Sequence, residues 1–295
     1  MQNIFKGVGV ALVTPFNADK TIDFESLKKL VEFQIKGGTN YLVVQGTTGE
    51  SPVLSQEEKH LVLETVIKQN NGRLKVVYGV GGNNTVEVGK LFKKIPKGVD
   101  GILSVSPYYN KPSQKGVIEH FKYISSCTEL PIILYNVPGR TSSNMLASTT
   151  LELANIKNIV AVKEASGNME QIMDLLSLKP EGFGVISGDD PLTFPMLTMG
   201  AEGVISVVAN AYPEAFSQMV DSGMNLQYEK AKNIHFDLLE ITKMLFEEGN
   251  PAGVKEALQY RNICSNELRL PLLKVSEQLA EKIQLETKKI ITQYS

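Results

Sequence analysis

Eight short runs of apolar, mostly β-branched residues recur through the first 208 of the 295 residues, and longer stretches with helical periodicity separate them. The runs span residues 7–14, 40–46, 74–81, 100–106, 131–136, 158–164, 183–188 and 202–208. Strands that are apolar on both faces and alternate with helices indicate a parallel sheet covered by helices. Eight such units predict a closed (β/α)8 TIM barrel, and an open, doubly wound sheet is the alternative.

The pattern changes after residue 208, where helical periodicity continues without any strand-like run. The helical stretches cover residues 211–223, 226–249, 252–264 and 275–294. The first of these supplies the eighth helix of the barrel. We therefore predict a catalytic barrel over residues 1–224 and a C-terminal helical appendix, hereafter the appendix, over residues 225–295.

The charge balance and the cysteine content exclude several classes of protein. Thirty Lys and Arg residues face 32 Asp and Glu residues, for a net charge of −2, so the chain lacks the basic surface that a nucleic-acid partner requires. An apolar run long enough to span a membrane and a signal-peptide pattern are both absent. Cys127 and Cys264 are too few for a disulfide framework or a zinc site. We expect a cytoplasmic protein without a membrane or nucleic-acid partner.

Reactive side chains cluster directly after several of the runs, and in barrels of this type the chemistry lies at the carboxyl ends of the strands. These positions are Gly46 to Glu50, Tyr108 and Tyr109, Tyr135 to Arg140, Lys163 and Glu164, and Gly188 to Asp190.

Lys163 continues the face of Ile159 and Ala161 on a strand that is predicted to be buried. A buried ammonium group is costly unless it is paired or neutral, and a neutral amine is the species that attacks a carbonyl carbon to form a Schiff base. The alternative is a lysine whose head reaches solvent or pairs with Glu164.

The neighbouring positions favour the Schiff-base hypothesis. Tyr135 ends the adjacent strand and offers a proton shuttle, and Thr47 and Thr48 offer hydroxyl groups between two glycines. Arg140 offers a planar fork for a carboxylate. Taken singly, Tyr135 is also compatible with a tyrosine packed in the core, the segment from Gly46 to Glu50 with a plain turn, and Arg140 with a surface salt bridge. Their joint placement at one rim is what favours a shared site.

Two other motifs are weak. Gly79, Gly81 and Gly82 follow a strand but do not complete the dinucleotide-binding pattern. Asp189 and Asp190 suggest Mg²⁺ only faintly, because few other carboxylates end neighbouring runs. We therefore expect no cofactor and no metal.

Six motifs, GTTGES, SPYYNKPSQKG, YNVPGRT, VKEASGN, SGDD and GVISVVAN, resemble in their order those of the pyruvate-dependent class I aldolases. This is the family of dihydrodipicolinate synthase and N-acetylneuraminate lyase, and the resemblance covers essentially the whole chain. It implies that Lys163 forms an imine with pyruvate and that Tyr135 is the proton shuttle. It also implies that Thr47 links Tyr135 to Tyr109 of a neighbouring subunit, within a homotetramer built as a dimer of dimers.

The resemblance also implies the substrate contacts. Thr48 holds the pyruvate carboxylate, Gly188 and Ile205 contribute backbone groups, and Arg140 binds the carboxylate of the aldehyde. The pair Thr47-Thr48, where the sialic acid lyases resemble Ser-Thr, and Arg140 favour the synthases of the family, which condense pyruvate with L-aspartate 4-semialdehyde in the diaminopimelate route to lysine. The alternatives are a lyase acting on a keto sugar acid and a keto-acid sensor without turnover.

The resemblance further implies an effector site for lysine at a subunit interface. The matching positions are Ser51, Pro52, Gln56, Lys59, Asn83, Glu87 and Tyr108. Lys59 stands where lysine-sensitive relatives have a histidine, and its ammonium group repels that of the inhibitor. We therefore expect weak or absent feedback by lysine. The appendix also departs from the family pattern at Gly253, where the usual motif has a proline.

Overall fold

The computed structural model describes residue 1 and residues 3–294. Eight parallel strands pair in chain order and β1 pairs with β8, so the sheet closes into a barrel. The strands are β1 (Gly7–Ala11), β2 (Tyr41–Val44), β3 (Lys75–Gly79), β4 (Gly101–Val105), β5 (Ile132–Asn136), β6 (Ile159–Glu164), β7 (Gly184–Ser187) and β8 (Gly203–Ser206). Each lies inside one of the eight predicted runs, and the predicted (β/α)8 TIM barrel is confirmed.

Five of the helices begin after an Asp, Ser or Asn side chain that accepts a hydrogen bond from the first turn, as N-caps do. Ser55 and Glu58 form a capping box at the start of the helix Gln56–Asn70. The helices are α1 (Phe24–Lys36), α2 (Gln56–Asn70), α3 (Thr85–Phe92), α4 (Gln114–Ser125), α5 (Pro138–Thr141), α6 (Ala147–Leu153), α7 (Met169–Leu178), α8 (Thr193–Thr198), α9 (Pro213–Met224), α10 (Tyr228–Glu247), α11 (Ala252–Tyr260) and α12 (Glu277–Tyr294).

The inside of the barrel holds its own cluster of buried side chains, separate from the layers between the sheet and the helices. Phe5 and Tyr41 pack with ring centroids 5.6 Å apart at the amino-terminal end of the strands. Tyr135, Ile186 and Ile205 belong to the same cluster. The barrel is therefore a packed core, and a polar side chain near its carboxyl-terminal end is held by apolar neighbours.

Lys163 is predicted to share a face with Ile159 and Ala161, and for Ile159 this prediction is wrong. Ile159 packs in the layer between sheet and helices, whereas Val160 and Ala161 both belong to the interior cluster. The register between β5 and β6 shifts here, since Ile159 is paired but Val160 has no partner before Ala161 pairs. Such a bulge resets the alternation of side chains and turns Ala161 and Lys163 inward together.

The helices of the appendix, α10, α11 and α12, pack against the barrel through one large apolar cluster. Leu238, Val254 and Ile283 from these helices join Val8 and Val204 from the strands in that cluster. The boundary at residues 224 and 225 stays a prediction, because the core runs across it. In the described part of the chain, no helix is both long and apolar enough to cross a bilayer.

Candidate active site

Lys163 and Tyr135 lie side by side at the carboxyl ends of β6 and β5, where they are paired in register. The Lys163 Nζ atom is 4.3 Å from the centroid of the Tyr135 ring. Both side chains are buried, with 6% and 7% of their surface exposed. Among the described residues Lys163 forms no ion pair, so the alternatives of a solvent-exposed head or a pair with Glu164 do not describe this lysine.

Gly188, directly after β7, leaves the space that the Lys163 side chain occupies. A Cβ atom added at Gly188 would lie 3.0 Å from Lys163 Cγ and Cε and 2.7 Å from Ala165 Cβ, closer than packed carbon atoms approach. Ile205 on β8 is 1% exposed and closes the other side of the interior cluster. The packing of Ala165 and Lys163 therefore requires a glycine at position 188.

The threonine pair lies in a short 3₁₀ turn, Thr47–Gly49, that follows β2. Thr48 is buried, and its Oγ1 atom accepts a hydrogen bond of 3.0 Å from Asn250 Nδ2. Thr47 is half-buried. Glu50 ends the turn in the left-handed region, with φ of 53°. The turn places two hydroxyl groups at the carboxyl-terminal rim of the barrel.

Arg140 lies on the short helix α5, directly after β5, and is exposed. Within the described residues its guanidinium group forms no salt bridge and no side-chain hydrogen bond. The alternative of a surface salt bridge is therefore not what the structure shows, and the planar fork is free to take a carboxylate from solution.

Tyr109 lies in the loop after β4 and is 90% exposed, with φ of 63°. Its hydroxyl forms no hydrogen bond with the described residues. A non-glycine residue with this φ is uncommon, and the ring is almost fully exposed. The structure thus presents Tyr109 outward rather than into the site of its own chain.

Two of the predicted effector residues, Asn83 and Tyr108, are joined in and beside this loop. Asn83 Nδ2 donates to the Tyr108 carbonyl at 2.6 Å, and the Tyr108 amide donates to Asn83 Oδ1 at 3.0 Å. Glu87 is exposed and pairs with Lys90 at 2.7 Å. Lys59 is half-buried, and this burial lowers the pKa of its ammonium group. Ser51, also half-buried, begins the next 3₁₀ turn.

The comparisons with known proteins identify a family that matches nearly the whole chain. Residues 4–293 match the model of the dihydrodipicolinate synthetase family. The chain belongs to that family. It is 49% identical to 4-hydroxy-tetrahydrodipicolinate synthase from Flavobacterium psychrophilum, over 97% of this chain and 98% of the relative. The family predicted from the six motifs is confirmed.

Solved structures of the dihydrodipicolinate synthetase family have the same fold. The synthase from Thermotoga maritima superposes with a TM-score of 0.95 at 41% identity, covering 98% of this chain and 99% of that one. The chloride-inhibited synthase from Acinetobacter baumannii, solved in complex with pyruvate, gives 0.94 at 39% identity, covering 97% and 98%.

Two carboxylates near the lysine have contacts that the sequence did not predict. Asp190 is buried, and its Oδ2 accepts from the amides of Val207 and Val208 at 2.9 and 3.2 Å. Burial raises the pKa of Asp190 to about 6, and hydrogen bonds from Ser206 and from the amides of Val207 and Val208 partly offset this rise, with a smaller effect of Lys163. Asp190 therefore ties the β7 loop to the end of β8.

Glu164 is the second of these carboxylates and faces away from the interior cluster. It accepts hydrogen bonds from Asn136 Nδ2 at 3.1 Å, from Gln171 Nε2 at 3.2 Å and from the Ser166 amide at 2.8 Å. Burial raises the pKa of the Glu164 carboxyl group. Because Asn136 and Glu164 follow Tyr135 and Lys163 directly, these bonds fix the two strand ends relative to each other. The sequence could have indicated this contact, because Asn136 and Glu164 each follow a predicted site residue directly.

Proposed function

We propose that this chain is a 4-hydroxy-tetrahydrodipicolinate synthase that condenses pyruvate with L-aspartate 4-semialdehyde through an imine on Lys163. The observation that carries the proposal is the buried Lys163 amine beside the Tyr135 ring, 4.3 Å from its centroid. Relatives with that name match nearly the whole chain. The chain is an enzyme of the lyase class.

In this mechanism the Lys163 amine attacks the keto carbon of pyruvate, and the carbinolamine loses water to form the imine. Removal of a proton from the methyl carbon gives an enamine, which attacks the aldehyde carbon of the second substrate. The amino group of that substrate then attacks the imine carbon, closes the ring and releases Lys163. Tyr135 exchanges protons at these steps, since its ring lies against the amine.

The substrate contacts extend this proposal to the rim. The Thr48 hydroxyl holds the pyruvate carboxylate and backbone groups of Gly188 and Ile205 line the pocket, while Arg140 takes the carboxylate of the aldehyde. Thr47 relays protons between Tyr135 and Tyr109 of a neighbouring subunit in a homotetramer. The 90% exposure of Tyr109 supports this arrangement, because it leaves the ring accessible to a second subunit.

Reduction with borohydride in the presence of pyruvate tests the proposal. We expect the intact protein to gain the mass of one reduced pyruvate, and peptide mapping to place the adduct on Lys163. Aspartate semialdehyde added before the reductant should lower the yield, because it consumes the enamine. Absence of an adduct would show that this chain does not form an imine with pyruvate.

Arg140 distinguishes the synthase from a family lyase acting on a keto sugar acid. In Arg140→Ala we expect the KM for the aldehyde to rise about 10- to 100-fold, the loss of a charge-assisted hydrogen bond pair. The KM for pyruvate should change by less than about twofold. Arg140→Lys keeps the positive charge but lacks the planar fork, so its KM for the aldehyde should lie between those of the unmodified enzyme and of Arg140→Ala. Steady-state kinetics with each substrate varied in turn measures both constants, and an unchanged aldehyde KM would favour the lyase.

Lysine should inhibit this enzyme weakly or not at all, because the ammonium group of Lys59 repels that of the effector. A coupled assay at submillimolar lysine measures this directly. In Lys59→His we expect inhibition to appear or strengthen, while uninhibited activity stays the same. Strong inhibition of the unmodified enzyme would contradict the effector assignment of Lys59.

A further inference from the structure

A buried ion pair joins the appendix to the threonine turn. The Lys255 Nζ atom on α11 is 2.5 Å from Glu50 Oε1, and both side chains are completely buried. Glu50 is the residue directly after Thr47–Gly49. The mechanism described above uses neither charge.

The further hydrogen bonds of this pair are made with the appendix. The second Glu50 oxygen, Oε2, accepts from the Arg269 amide at 3.2 Å, and Lys255 Nζ also donates to the Glu267 carbonyl at 2.7 Å. The Lys255 ammonium lies 4.3 Å from the centroid of the Phe16 ring. Packed apolar residues often give a buried site the same stability as an ion pair. The hydrogen bonds of Glu50 instead fix the orientation of the backbone at the end of the turn Thr47–Gly49.

Asn250, which precedes α11, makes a second contact from the appendix. Its Nδ2 atom donates to Thr48 Oγ1 at 3.0 Å, in a buried setting. An amide nitrogen is only a donor, so the Thr48 hydroxyl accepts in this bond and its own proton remains available to a carboxylate. On the barrel side, Thr14 Oγ1 donates to the Gly49 carbonyl at 2.7 Å. The turn is thus held from the barrel and from the appendix.

We propose that Lys255 and Asn250 are positioning residues that set the Thr48 hydroxyl for pyruvate binding, Lys255 through Glu50 and Asn250 directly. This inference rests on the proposed function, since it assumes that Thr48 binds the pyruvate carboxylate. It gives the appendix a part in the reaction although every residue of the proposed catalytic set lies in the barrel. It also predicts an effect on one substrate only.

The double variant Glu50→Gln with Lys255→Met tests the inference, because it removes both charges together and leaves no buried charge unpaired. We expect the KM for pyruvate to rise roughly 10- to 100-fold, the scale of effect caused by a displacement of about 1 Å. The KM for the aldehyde should stay within about twofold. The rate of borohydride trapping at subsaturating pyruvate should fall in parallel.

Tyr212→Phe is the matched control, since it removes a different buried hydrogen bond between barrel and appendix. Tyr212 and Thr287 are joined at 2.6 Å through their hydroxyl oxygens. We expect the control to lower the melting temperature while both KM values stay unchanged. A selective rise in pyruvate KM in the control as well would mean that any loosening of the appendix has this effect, and would overturn the assignment to Lys255 and Asn250.

Asn250→Ala decides the question if the double variant does not fold, because it leaves the ion pair intact. A selective rise in the KM for pyruvate supports the inference, and unchanged pyruvate kinetics in the folded variant overturns it. Failure of the proposed function is a separate result. It would show as the absence of a pyruvate adduct on Lys163 in the unmodified enzyme.

Discussion

Replacement of Lys163 by alanine is expected to abolish the borohydride-trapped pyruvate adduct and to lower kcat on the order of 10⁶-fold, as loss of a covalent nucleophile does in a protease. No other described residue offers an amine beside Tyr135. The fold should survive, because Lys163 forms no ion pair within the described residues and its removal leaves no partner charge unpaired. We expect the free energy of unfolding to change by less than about 3 kcal/mol.

The measurement combines mass spectrometry after reduction, steady-state kinetics and thermal unfolding on the same sample. Lys75→Ala is the control, since Lys75 is a strand lysine that is exposed at the start of β3, at the opposite end of the barrel from Lys163. The control should keep the adduct on Lys163 and full activity. An adduct of equal yield in Lys163→Ala would show that a lysine other than Lys163 forms the imine.

The barrel was predictable because its strands carry a local signal. Residues buried on both faces must be apolar throughout, so each strand stands out from the helices around it. Lys163 was predictable for the same reason, as a charge at the end of such a run. The bulge at Val160 was not, because the shift in pairing depends on β5, which lies far away in the sequence.

The contacts that hold the threonine turn could not be predicted from the sequence for a related reason. Glu50 and Lys255 are 205 positions apart, and neither residue has a neighbour in sequence that indicates a buried charge. Asn250 reaches Thr48 over a similar separation. Periodicity reports which face of an element is buried, but not which side chains meet across the fold. Polar contacts between the barrel and the appendix therefore became visible only in the structure.

Tyr135→Phe is expected to lower kcat about 10²- to 10⁴-fold, the contribution of a positioned general acid or base. The Tyr135 hydroxyl forms no hydrogen bond with the described residues, so its removal leaves no protein group unpaired. The ring stays in the interior cluster, and the melting temperature should be nearly unchanged. The KM for pyruvate should also change little, because the carboxylate contacts remain. Stopped-flow measurement of the chemical steps, alongside kcat, records this loss.

Tyr41→Phe is the control for this prediction, because Tyr41 is a buried tyrosine of the same cluster at the opposite end of the barrel. Its hydroxyl donates to the Val204 carbonyl at 3.2 Å, so the variant should lose about 1 kcal/mol of stability and keep its kcat. The two tyrosines thus separate a catalytic hydroxyl from a structural one. The reverse pattern, with stability lost and kcat kept in Tyr135→Phe, would make Tyr135 a core residue and leave the proton transfers to another group.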